Sequence, residues 1–121
     1  MNREAHNIND TKIAEITADN IVIKTVEDGL DLLGNLYYQD FDKIIIHEKN
    51  ITPDFFDLKN GIAGEILQKF SNYRVSLAIV GDFSKYTGKS IRDFIYESNK
   101  NRRIVFVGST PEALNALSGT N

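Results

Sequence analysis

The chain of 121 residues carries 17 acidic and 14 basic side chains, a net charge of −3, and no cysteine. The missing cysteines exclude disulfides, thiolate nucleophiles, iron–sulfur clusters and cysteine zinc sites, and the acidic balance argues against a general nucleic-acid binder. At this length a chain buries roughly two-thirds of its unfolded surface, so a core can form without a covalent or metal staple.

The first ten residues are polar, and no apolar run approaches the ~20 residues that span a bilayer. The expectation is one soluble cytoplasmic domain over residues 1–121, with a loose end at 118–121. Residues 4–8 and 12–17 flank a polar Asn9-Asp10-Thr11 turn and read as a hairpin. A short third strand is expected at 21–24. Thr25 then caps a helix, with Asp28 three residues on as in a capping box, and Val26, Leu30, Leu33 and Tyr37 supply its apolar stripe. Ile44, Ile45 and Ile46 run consecutively and cannot alternate between core and water, which fits a strand covered on both faces.

Thr52-Pro53 opens the next helical stretch, with Phe55, Leu58, Ile62, Ile66 and Phe70 at helical spacing and an interruption near Asn60-Gly61. A second buried strand follows at 75–80. Ser90 is placed to cap a helix with Ile91, Phe94 and Ile95 inside. Ile104–Val107 is another strand, and Thr110-Pro111 starts a last helix carrying Ala113, Leu114 and Leu117. Alternating strands and helices imply right-handed crossovers and parallel pairing. The predicted fold is a three-layer α/β domain with a mixed sheet of five to six strands, an N-terminal hairpin and about four helices.

The segment GDFSKYTGKS at 81–90 has the placement of a phosphate-binding loop but not its spacing. Position 83 is Phe83, and six residues separate Gly81 from Gly88 where such a loop needs four. A receiver domain needs an acidic pair after its first sheet strand, and the run at 21–24 ends in Thr25. The two histidines, His6 and His47, are far apart, and His47 and Glu48 are strand neighbours that point to opposite faces, so no metal site is expected. The basic group Lys100, Arg102 and Arg103 reads as a solvated helix end, where cations complement the helix dipole. No cofactor is implied.

Three segments, FFDLKNGIAGEILQKF at 55–70, YRVSLAIVGDFSKY at 73–86 and KSIRDFIYESN at 89–99, resemble a bacterial family known only as a domain of unknown function. The order of hairpin, helix and strand–helix units also resembles, more distantly, the STAS domains of anti-sigma-factor antagonists and sulphate transporters. That resemblance implies a protein-binding module in which a serine at a helix start is phosphorylated. Asp57 matches the aspartate of that turn, but Leu58 stands where the serine belongs, so the switch is not expected here.

The resulting expectation is a non-catalytic interaction module. Its partner surface would be Asp57, Lys59, Asn60, Asp82, Phe83, Ser84, Lys85 and Tyr86, with the two aromatics as apolar anchors. The partner would be another protein or a second copy in a homodimer, not nucleic acid or a membrane. The alternative is a small-molecule or hydrolytic pocket at the carboxyl ends of the parallel strands, where open α/β sheets carry their sites, built from His47, Glu48, Asp82, Ser84 and Ser109. No Gly-x-Ser-x-Gly elbow presents an exposed serine nucleophile.

Overall fold

The computed structural model describes residues 1–119, so part of the end expected to be loose, Thr120 and Asn121, lies outside the described residues. Strand β1 (Asn2–Ile8) turns through Asn9 and Asp10, both at positive φ (52° and 62°), into β2 (Thr11–Thr17). Two consecutive left-handed residues make a turn whose twist matches that of the flanking strands, and Asn and Asp tolerate that conformation. Helix α1 (Val26–Tyr38) follows, and the Thr25–Asp28 capping box forms. Strand β3 (Lys43–His47) leads through 3-10 turns at Glu48–Asn50, Pro53–Phe56 and Leu58–Asn60 to α2 (Ile62–Asn72). Then come β4 (Ser76–Val80), α3 (Lys89–Asn101), β5 (Ile104–Val107) and α4 (Thr110–Leu117).

The described strands form one five-stranded sheet in the order β1-β2-β3-β4-β5. Only β1 and β2 are antiparallel; β2 through β5 run parallel. Right-handed crossovers repeated between successive neighbours leave their connecting helices on one face. Accordingly α1, α2 and α3 pack on the face of Ala14, Ile16, Ile44, Ile46, Leu77, Ile79, Ile104 and Phe106. The last helix, α4, is alone on the opposite face, against Ile13, Ile45, Ala78, Val80 and Val105. The isoleucine run is therefore buried from both sides, as its composition predicts.

Several local expectations are corrected. Residues 21–24 are not a sheet strand: Ile23 makes an isolated parallel bridge to Ile51, and Val22 donates to the Asn50 carbonyl at 2.7 Å. The fully buried Asn50 side chain holds this crossing by donating to the carbonyls of Ala18 and Asn20, both at 2.8 Å. The buried stripe of α1 runs through Gly29, Leu32, Leu33 and Leu36, and Tyr37 is half exposed. The cause is close packing on α2, since a Cβ on Gly29 would lie 2.8 Å from Ile66 Cδ1. Gly88, not Ser90, is the N-cap of α3, whereas α4 starts at Thr110-Pro111 as expected, with the Ser109 hydroxyl as its cap.

Candidate functional site

The carboxyl ends of β3 and β4 meet through one close approach. A Cβ on Gly81 would stand 2.5 Å from the Cβ of Glu48, so glycine is required where the chain leaves β4 beneath the Glu48 turn. Glu48 is thereby held against the loop that follows. Its Oε2 accepts a hydrogen bond from the Tyr86 hydroxyl at 2.7 Å and pairs with Lys85 Nζ at 2.6 Å. Burial, then the hydrogen bond and charge of Glu48, push the Tyr86 phenol well above its ordinary pKa.

The Tyr86 ring stacks on Phe56, centroids 4.5 Å apart and planes 19° apart, and Phe83 meets Phe106 edge-on at 5.3 Å. Phe83 and Tyr86 therefore pack against the main core as a partly buried floor instead of projecting freely. Around this floor Asp57, Lys59, Asn60, Asp82, Ser84 and Lys85 are exposed. The stack joins two segments far apart in sequence, 53–60 and 82–86.

Within this rim the polar groups differ in freedom. Asn60 is structural, because its Nδ2 donates to the Asp54 carbonyl at 2.8 Å and its Oδ1 accepts the Ile62 N–H at 3.0 Å. Asp57 makes no side-chain capping bond to the turn it precedes. Leu58, at the position of the absent serine, packs against the core. The hydroxyl and backbone N–H of Ser84 both donate to Asp82 Oδ1, at 2.7 and 3.0 Å, and hold that carboxyl below its ordinary pKa.

The residues of the expected strand-end pocket are divided among separate contacts. His47 shares a sheet face with Ile45 and reaches Glu15, while Glu48 turns to Tyr86 and Lys85. The Ser109 hydroxyl accepts the Glu112 N–H at 3.3 Å as the cap of α4. A cleft of about 280 Å³ touches the loop but is lined by Phe83, Ser84, Tyr86, Thr87 and Arg92.

A second polar cluster lies on the sheet face that α4 occupies, at the hairpin end. Register places Glu4 opposite Glu15 and His6 opposite Ile13, so alternation puts Glu4, His6 and Glu15 on one face. Glu15 stands beside Ile45 of β3, two residues before His47. The Glu15 carboxylate is shared between the histidines: Oε1 lies 2.9 Å from His6 Nε2 and Oε2 lies 2.8 Å from His47 Nε2. Only 11% of its side chain is exposed. Burial pushes its carboxyl up, but the hydrogen bonds of His47 and His6, and their charge, outweigh this and hold it below its ordinary value. Glu4, His6 and Glu15 each bring one possible ligand atom within 4.8 Å of the others. Sequence reasoning missed Glu15 and the meeting of the two histidines, which depends on strand register. The local signal was a glutamate inside the apolar run Ile13-Ala14-Glu15-Ile16.

A family model described as Domain of unknown function (DUF4180) matches residues 8–117, and the chain belongs to that family. No curated protein and no solved structure matches it. Among the described residues, no helix is long and apolar enough to cross a membrane.

Proposed function

We propose that this DUF4180 member is a non-catalytic, STAS-like protein-interaction module of the bacterial cytoplasm. Its recognition surface is the rim formed by Asp57, Lys59, Asn60, Asp82, Ser84 and Lys85 over the partly buried Phe83 and Tyr86. The observation that carries this reading is the Phe56–Tyr86 stack at 4.5 Å, which joins the two segments over one aromatic floor. Interfaces favour this combination of aromatic centre and polar rim. A rigid floor also lowers the ordering cost of binding. With Leu58 in place of a serine, recognition would not depend on phosphorylation at that turn.

The test is a double charge reversal, Asp57→Lys with Lys59→Glu. Both side chains are exposed, and Asp57 makes no capping bond, so stability should change by no more than about 0.5 kcal/mol. A partner captured from host extract by the wild type, identified by mass spectrometry and then purified, should bind the reversed protein at least tenfold more weakly, roughly a 1.4 kcal/mol loss. A folded variant that binds every partner with wild-type affinity overturns the assignment.

A further inference from the structure

Glu4 and Glu15 face each other directly across the antiparallel pair β1–β2. Like charges in that relation repel, and the repulsion is worse where one of them is buried, as Glu15 is. The group between them is the His6 imidazole, whose Nε2 lies 3.2 Å from Glu4 Oε2 and 2.9 Å from Glu15 Oε1. We propose that Glu4, His6 and Glu15 bind a first-row divalent transition metal of the zinc type, with His47 as the outer partner that holds the Glu15 carboxylate. This site is distinct from the aromatic-floored rim and does not rest on the interaction reading.

Three features support the assignment. Two spacings match a tetrahedral site, in which bonds of about 2.0–2.1 Å imply neighbouring ligand atoms ~3.3 Å apart. His6 Nε2 stands 3.2 Å from Glu4 and 2.9 Å from Glu15, while Glu4 and Glu15 lie within 4.8 Å and would draw together around an ion. The donors are imidazole nitrogen and carboxylate oxygen, which suit zinc, whereas magnesium and calcium take oxygen ligands. His47 Nε2 lies 2.8 Å from Glu15 Oε2, leaving Oε1 toward His6 and Glu4, as outer partners orient ligating carboxylates. Three protein ligands also leave a coordination position for water or a small anion. The fold explains the position, since α4 packs over the β3–β5 side and the polar cluster occupies the hairpin end of the same face.

The experiment uses the full chain without a purification tag, stripped with a chelator and titrated calorimetrically with zinc chloride, and with magnesium chloride in parallel. One zinc ion per chain should bind with micromolar or tighter affinity and raise the melting temperature, reversibly on adding chelator. Magnesium at the same concentration should do neither. His6→Ala should weaken zinc binding at least tenfold, and His47→Gln about 10–100-fold with the stoichiometry unchanged. If His6→Ala does not fold, Glu4→Gln carries the test, because 68% of the Glu4 side chain is exposed and its loss should spare the metal-free fold. It too should weaken binding at least tenfold. No saturable zinc binding, or wild-type affinity in Glu4→Gln, overturns the site.

Discussion

On one face of the sheet, Ile16, Ile46, Ile79 and Phe106 lie in a core shared with three helices. On the other, Ile45, Ala78 and Val105 lie beneath α4, and the hairpin end carries Glu4, His6, Glu15 and His47. The difference follows from strand order. Sequential parallel neighbours send each crossover helix to the same side, so the second side receives only the eight-residue helix after the last strand. A face with that little cover can hold titratable groups beside its apolar patch. The first face keeps its titratable strand residues, Arg3 and Lys12, exposed at the hairpin edge over the Phe41 ring, and packs aromatic rings to the strand ends.

The largest effect should come from the thickly covered face. Phe70 of α2 is fully buried in its core, so Phe70→Ala should cost ~3–5 kcal/mol in denaturant unfolding. The equivalent cut on the other face is Leu117→Ala in α4, buried against the second cluster. Burial there rests on a single eight-residue helix that can settle into the space, so we expect a loss of about 2 kcal/mol, at the low end for such truncations. Equal losses at the two positions would break the comparison between the faces.

A smaller effect should come from the strand ends. Tyr86→Phe keeps the ring stack on Phe56 and removes only the bond to Glu48, which Lys85 also contacts, so about 1 kcal/mol should be lost at neutral pH. The pH dependence has a definite sign. The folded state raises the phenol pKa, so this contribution is complete below the unfolded value of about 10 and is lost as pH rises from there through the folded value. Denaturant midpoints of wild type and Tyr86→Phe should therefore converge above pH ~10. A constant gap across that range would detach the stability of this corner from the phenol.

Much of the fold could be read from short-range pattern. The three isoleucines of β3 mark a strand buried on both faces, Thr25 and Asp28 mark the start of α1, and Asn60-Gly61 marks the break before α2. Each signal is local, because capping, turn conformation and alternation act within a few residues. At α3 local pattern was insufficient: Ser90 stood where a hydroxyl could cap, but the start of the helix depends on how the loop leaves β4, and Gly88 takes the cap position. The α1 stripe was displaced for a related reason. Periodicity counts Gly29 as neutral, whereas the structure uses its missing side chain to bring α2 close.

By itself the sequence determined the α/β class, the hairpin, the parallel strand–helix units and the exclusion of cysteine chemistry. Only the tertiary structure decided which charged residues meet. Glu15 lies 9 residues from His6 and 32 from His47, and it joins them because β2 pairs with β1 on one side and with β3 on the other. A shift of one residue in either register would send side chains to the opposite face and dissolve the cluster. Likewise the sequence presents Phe83 and Tyr86 as surface anchors, and only the tertiary structure brings Phe56 and Phe106 beneath them. Sheet register and helix placement are settled by packing across the whole domain, which no local window of sequence contains.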